Sequence, residues 1–364
     1  MSNIFGHAVT MTIFGESHGV GIGVVLDGLP AGIKIDFDAV RQEMARRAPG
    51  KDAISTARDE KDAFEVESGI FNEYTTGAPL CCVIKNKDQR SKDYSQLRHK
   101  MRPGHADYTG MIRYDGFNDY RGGGHFSGRI TAPLVFAGAI AKQILEERGV
   151  TIGAHILQIA DIKDTSFNPL GETVTTLEAL KKDTVPTLDK GKAQQMVERI
   201  LAAKENVDSV GGIIEAMAVG LPAGLGNPFF DSVESVLSHM IFSVPATKGI
   251  EFGDGFGLAS MQGSTANDSF YYDEEGTVKT RTNHNGGING GITNGMPLVF
   301  RVVVKPTSSI SQEQQTIDTD TKENCTLLVK GRHDPCIVQR AVPVIEAAAA
   351  WAILDVWQTT QQGR

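Results

Sequence analysis

Cysteine is scarce in this chain, with four among 364 residues. Cys81 and Cys82 are adjacent inside an apolar run, and Cys325 and Cys336 stand alone. That spacing excludes a metal-ligand motif and a secreted disulfide framework, so no metal is expected and a reducing cytoplasm is the expected compartment. Excess positive charge is missing too. The formal net charge is -8, which argues against general nucleic-acid binding, because such binding wants a basic face. Long uninterrupted apolar runs are also lacking, since residues such as Glu346 break them. The first residues do not place an apolar stretch after a basic one, so neither export nor membrane insertion is expected. Nucleotide signatures are absent as well: segment 122–129 lacks the lysine and spacing of a P-loop, and Gly19-Val20-Gly21-Ile22-Gly23 does not complete a dinucleotide fingerprint.

What is present suits a globular protein, with 40% hydrophobic and 22% charged residues over a length that allows one large domain or two ordinary ones. Five of the nine histidines sit in glycine-rich turns: Gly15-Glu16-Ser17-His18-Gly19, Arg102-Pro103-Gly104-His105, Gly123-Gly124-His125-Phe126-Ser127-Gly128-Arg129, His284-Asn285-Gly286-Gly287 and Gly331-Arg332-His333-Asp334. Glycine lets a backbone approach a ligand closely and histidine changes charge near neutral pH, so the combination suits proton transfer beside an anion. Any one His-Gly pair alone is more often an ordinary turn; five together point to a site.

The pattern repeats. An alternating strand at 22–27 ends in Gly28-Leu29-Pro30-Ala31-Gly32 and leads to a helix opened by Asp36-Phe37-Asp38 and closed near Pro49-Gly50. A strand at 213–219 ends in Gly220-Leu221-Pro222-Ala223-Gly224 and leads to a helix capped by Asp231-Ser232 and ending near Ser243. Gly77-Ala78-Pro79-Leu80 and Gly295-Met296-Pro297-Leu298 each open a further strand, and each half then reaches a long apolar helix, at about 131–147 and about 335–357 with a bend at Pro343. Helices apolar on most faces need cover on more than one side, which predicts a central helical layer between strands in one domain of two related halves, about 1–150 and 205–360. Segment 165–190 reads as a polar, patternless surface excursion, 189–204 as a helix and 271–278 as a hairpin.

Segment 122–129 runs into the first long helix, whose N-terminus is a natural seat for an anion. Lys305-Pro306-Thr307-Ser308-Ser309 offers a cation and three hydroxyls to a phosphate or a flavin edge, or else is a solvated turn. Arg41, Arg46 and Arg47 share one helix, with Arg58 in the next loop. Arg102, Arg129 and Arg332 lie in the glycine-rich loops, where a guanidinium fork suits carboxylate and phosphate. Asp334 is either the N-cap of the second long helix or a proton acceptor. His284 and His333 are weaker candidates than His18 and His105.

These loops, in this order across almost the whole chain, resemble the chorismate synthase family of the monofunctional bacterial and plant type. The resemblance implies an α+β sandwich, helices between antiparallel sheets, assembled as a homotetramer. It implies a lyase that converts 5-enolpyruvylshikimate 3-phosphate to chorismate and phosphate by 1,4-anti elimination, in the shikimate pathway to aromatic amino acids, with reduced FMN. Catalysis would fall to His18, His105 and Asp334. Ser17, Arg46 or Arg47, Arg58, Arg102 and Arg129 would hold the substrate or NADP. Flavin contacts would come from His125, Phe126, Ser127, Pro245, Ala246, Gly290, Lys305, Pro306, Thr307, Ser308, Ser309 and Arg332. Flavin reduction is left open between NADPH acting through the chain itself and an external flavin reductase. The sequence departs from the common pattern at His125-Phe126, where many members have Arg-Ser, at Ile130, often Glu, and at Lys51-Asp52-Ala53-Ile54, where an arginine is usual. The rival readings are a non-catalytic flavin or phosphate binder and a nicotinamide-dependent oxidoreductase.

Overall fold

A computed structural model describes residues 3–50, 54, 62–86, 97–329 and 333–363. The first sheet comprises β1 (Ile4–Phe5), β2 (Thr10–Gly15), β3 (Gly21–Asp27), β4 (Phe64–Ser68) and β5 (Leu80–Lys85), in the order β1-β2-β3-β5-β4. The second comprises β6 (Thr151–Ile159), β7 (Ile162–Lys163), β8 (Gly212–Val219), β9 (Thr247–Phe252) and β10 (Leu298–Val304), in the order β9-β10-β8-β6-β7. Every neighbouring pair in both sheets is antiparallel. In each half the strand before the Gly-Leu-Pro-Ala-Gly string pairs with the strand opened by the later Gly-X-Pro-Leu string, Val25 opposite Cys81 and Met217 opposite Val299.

The helices are α1 (Phe37–Arg47), α2 (Asp107–Arg113), α3 (Thr131–Glu146), α4 (Val174–Leu180), α5 (Lys190–Glu205), α6 (Val233–Ser243), α7 (Gly263–Ala266) and α8 (Val338–Gln362). Side-chain caps set four of the starts: Asp36 accepts from the Asp38 and Ala39 amides, Thr173 from Thr176, Asp189 from Gly191 and Ser232 from Ser235. All of α3 except Gln143 and Glu146 is buried, as is most of α8. The two helices pack on each other so closely at Gly138 that a Cβ there would lie 2.3 Å from the Ala347 Cβ. α3 also packs against both sheets, and one continuous apolar core runs through them all. The fold is α+β, with the long helices between antiparallel sheets as expected.

Two sequence readings change. Segment 165–190 is not patternless: α4 lies within it, and Phe167, Leu177 and Leu180 close a small core with Met217 and Val299 on the second sheet. The second long helix begins at Val338 rather than 335 and runs to Gln362, because its polar last turn meets no breaker before Gly363. Its N-cap position is Ile337, so Asp334 is not the cap. Among the described residues one helix, Val338–Gln362, is long and apolar enough to cross a membrane, and 83% of its most apolar window is buried inside the fold.

Candidate active site

Three consecutive glycines organise the site. Gly122, Gly123 and Gly124 all take positive φ, at 60°, 85° and 53°, in a tight turn that leads into α3. A Cβ on Gly122 would lie 2.1 Å from the His18 ring, and one on Gly123 would lie 3.4 Å from Cε1 and Nε2 of His105. Any side chain at Gly122 would displace His18. Since neighbouring Cα atoms are about 3.8 Å apart, the loop brings two imidazoles from distant segments to one place. Ser17 Oγ lies 3.0 Å from His18 Nδ1 and donates to the Arg121 and Gly122 carbonyls, fixing that ring against the loop.

Both histidines open on a cavity of about 980 Å³ that Asp334 also lines. Ligand pockets commonly span roughly 300–1,000 Å³, so this one has room for a large ligand or for two. Among the described residues, Arg47, Arg102, Arg129, Arg340, Lys248 and Lys305 line it, against the one carboxylate of Asp334. In a chain of net charge -8, that local excess of cations suits the cavity to an anion.

The arginines are held by buried acids. Asp62 Oδ1 accepts from Arg129 Nη1 at 2.5 Å, and its other oxygen accepts from Arg47 Nη1. Arg47 Nε reaches Thr131 Oγ1 at 3.2 Å and Arg129 Nε reaches Asn86 Oδ1 at 2.8 Å, so both forks are aimed. Asp107 binds Arg102 twice, to Nε at 2.7 Å and to Nη2 at 2.8 Å. Burial alone would raise the Asp107 pKa, but the hydrogen bonds from Arg102 and the adjacent His105 ring outweigh it and hold the carboxyl well below its usual range. Arg102 Nη1 continues to Ser309 Oγ at 3.1 Å, and Lys305 Nζ donates to the Gly104 carbonyl. The loops around His105 and Lys305, some two hundred residues apart, are thereby locked together. Asp334 accepts from Arg340 Nη1 at 3.0 Å, and Arg340 Nε donates to the Arg47 carbonyl at 3.2 Å.

Most residues singled out in the sequence meet here. His18, His105, Asp334, Arg47, Arg102, Arg129, His125, Phe126, Ser127, Pro245, Ala246 and the 305–309 string all line the cavity, and Ser17 stands behind His18. Arg46 does not. It turns into the core to bind Glu346 at 2.7 and 2.9 Å and Glu43 at 2.8 Å, so Arg47 is the member of the pair that faces the cavity. Gly290 lies outside the cavity, at the exposed turn between Ile288–Asn289 and Ile292–Thr293. Arg58, Arg332 and Lys51 lie outside the described residues. Asp62, Arg340, Lys248 and His239 were not foreseen. Asp62 and His239 carry no local motif, whereas Arg340 lies six residues past the Arg-His-Asp string and Lys248 in the string after Pro245-Ala246.

The residues fit a flavin. Thr247 Oγ1 and Thr307 Oγ1 are buried without a hydrogen-bond partner, and both residues line the cavity near Pro245, Ala246 and Lys305. Buried hydroxyls call for partners, and a polar ring edge or phosphate supplies them. At the His125-Phe126 departure, His125 Nδ1 lies 2.8 Å from the Gly15 carbonyl, while the Phe126 ring fills the space a Cβ on Gly110 would take.

Fold and cavity together define an α+β protein whose cavity gathers six cationic side chains with His18, His105 and Asp334. The chorismate synthase family profile matches residues 9–357. The chorismate synthase of Dehalococcoides mccartyi strain BAV1 is 46% identical over 98% of this chain and 96% of its own length. That of Gloeothece citriformis is 46% identical over 98% and 97%, and that of the archaeon Thermococcus kodakarensis is 43% identical over 96% of each chain. A crystal structure of a chorismate synthase superposes with a TM-score of 0.76 at 27% identity, covering 96% of this chain and 92% of the other. The chain belongs to the chorismate synthase family, and it is a lyase.

Proposed function

We propose that this protein converts 5-enolpyruvylshikimate 3-phosphate to chorismate and phosphate by 1,4-anti elimination, using reduced FMN, as the shikimate-pathway step of a cytoplasmic homotetramer. The observation that carries the reading is the meeting of His18, His105 and Asp334 in one cation-rich cavity. Arg47, Arg102 and Arg129 bind the phosphate and carboxylates of the trianionic substrate, each aimed by a buried partner, so little reorganisation is needed as charge shifts to the leaving phosphate. His105 donates its proton to that phosphate. His18, set by Ser17, supplies a proton beside the cofactor. Asp334, held by Arg340, accepts the proton lost from C6. Lys305, Thr307, Ser308, Ser309 and Thr247 hold the flavin with Pro245, Ala246 and the 125–127 turn. When bound, reduced FMN supplies an electron-rich ring that stabilises charge developing as the C–O bond breaks. The reductant would be NADPH acting through this chain or an external flavin reductase.

The test is anaerobic: purified protein with photoreduced FMN and 5-enolpyruvylshikimate 3-phosphate, followed by chorismate absorbance and phosphate release. Turnover that disappears when FMN stays oxidised is the expected result. His105→Ala should lower kcat on the order of 10²-fold or more. Tight binding of both ligands without product would reject the reading in favour of a non-catalytic binder, with His125-Phe126 as the first positions to revert.

A further inference from the structure

Asn86 belongs to no glycine-rich loop and stands behind the cavity wall, yet its side chain ties together two segments that form the wall. The register of the first sheet puts it there. β5 runs antiparallel to β3 with Lys85 opposite Gly21, and one residue further the Asn86 amide donates to the Val20 carbonyl at 3.1 Å. The side chain therefore starts beside the turn that carries His18. Its Nδ2 donates to the Glu16 carbonyl and to the Gly19 carbonyl, each at 2.9 Å, so one amide holds both ends of that turn. Oδ1, on the other side, accepts from Arg129 Nε at 2.8 Å. Carbonyl oxygens only accept and a guanidinium only donates, so these partners fix which end of the amide is nitrogen and which is oxygen. Arg129 is 8% exposed and gives Nη1 to Asp62 at 2.5 Å, so Asn86 and Asp62 together set the plane of its fork.

We propose that Asn86 is a positioning residue: it registers the His18 turn against Arg129, so that the imidazole stands in a fixed place relative to the anion the guanidinium holds. The inference rests on the reading that His18 moves a proton and Arg129 binds the substrate. Both side chains line the cavity, but they come from segments more than a hundred residues apart. The glycine turn seats the His18 ring from one side, where the Ser17 amide donates to the Gly124 carbonyl at 3.2 Å. Asn86 holds the same turn from the other side and is bonded to the arginine as well. Without the amide the Glu16 and Gly19 carbonyls lose a shared donor and Arg129 loses the acceptor at Nε, so turn and guanidinium shift independently. A displacement of about 1 Å between a reacting group and its substrate costs on the order of 10²-fold in rate.

The experiment is a pair of double-mutant cycles on the full-length protein, with kcat and substrate KM measured anaerobically on photoreduced FMN and 5-enolpyruvylshikimate 3-phosphate. Asn86→Ala should lower kcat about tenfold or more and raise KM about tenfold. In a His18→Ala background the kcat effect should shrink to less than about twofold, and in an Arg129→Gln background the KM effect should shrink likewise, because residues that act through one another are not additive. A residue that merely anchors a loop lowers stability and multiplies unchanged onto both backgrounds. An Asn86 effect as large in either background as in the wild type therefore overturns the proposal. Asn86→Asp keeps an acceptor for Arg129 but turns an oxygen toward two carbonyls, and it should lower kcat by about tenfold as well. Wild-type kcat in that variant overturns the proposal even if Asn86→Ala does not fold. Full activity in His18→Ala would instead remove the reading beneath it. An impaired His18→Ala onto which the Asn86 effect multiplies unchanged rejects the role of Asn86 alone.

Discussion

Glu346 has no exposed side-chain surface and binds two cations, Arg46 through both terminal nitrogens and Lys142 at 2.5 Å, while also accepting from the Ala154 amide at 3.2 Å. Burial alone would raise its pKa, but the charges of Arg46 and Lys142 outweigh that and hold it far below the usual carboxylate range. Removing one member of such a cluster leaves buried charge without its partner, which costs about 3–5 kcal/mol. Glu346→Ala should therefore lower stability by about that amount in a denaturant titration, while substrate KM measured well below the melting temperature stays near wild type. Arg46→Ala should behave in the same way. A raised KM at unchanged stability in Arg46→Ala would return that residue to the substrate site. Adjacent arginines at the end of one helix look alike in a sequence. What separates them is a glutamate three hundred positions away, which no local pattern contains. Ser17, His18, His105 and Arg102 were legible because glycine and proline next to reactive side chains mark loops that approach a ligand. Asp62, at the far end of a charged stretch with no such neighbours, was not.

Helix starts were legible wherever an Asp or Ser cap preceded an apolar pattern, and α1, α5 and α6 begin within a residue or two of where the sequence places them. α4 was missed because its apolar residues are few and its support is tertiary: the segment is anchored by a polar network under it. His155, fully buried on β6, lies 3.2 Å from Asp164 and 2.9 Å from Glu215, whose carboxylate also accepts from the Phe167 amide and Arg301. Asp164 accepts from the Leu188 and Asp189 amides, so the two acids tie both ends of the excursion to the sheet. Burial pulls the His155 pKa down, but hydrogen bonds to Asp164 and Glu215 outweigh this and raise it above its ordinary 6.5. The two carboxyls, which burial alone would raise, are lowered below 3.8 and 4.5 by the same contacts. A raised histidine contributes stability that is fully present below its unfolded value and is lost as pH rises through its folded value. Lowered carboxylates contribute stability that is present above their unfolded values and is lost as pH falls through their folded ones. Amide protection across 164–189, corrected for intrinsic exchange, should therefore be greatest between about pH 5 and 6 and weaken on both sides. His155→Gln should abolish the alkaline loss. An alkaline limb that survives in that variant would assign it to another group.

At the scale of the whole molecule, two expectations drawn from resemblance meet in one feature of the surface. Gly290 was expected at the flavin, yet in a single chain it sits outside the cavity on an exposed turn, with nothing within 4 Å of where a Cβ would stand. The chain was also expected to be a tetramer, and its surface carries large apolar groups that the fold leaves uncovered, among them Phe229 and Phe230 at 85% and 91% exposed. Phe229 moreover takes φ of 61°, a left-handed conformation that is strained for a bulky residue and persists only where it serves some end. Both expectations hold together if a second copy covers part of this surface and brings its own Gly290 turn against the flavin of the first. Light scattering at assay concentration should then give four times the 39.2 kDa of one chain. Gly290→Asn, a residue that tolerates left-handed φ, should keep that mass and weaken flavin binding by about tenfold, the equivalent of 1.4 kcal/mol. A monomer with full activity would remove the tetramer. A tetramer whose Asn variant binds flavin as tightly as the wild type would keep the assembly and take Gly290 out of the cofactor site.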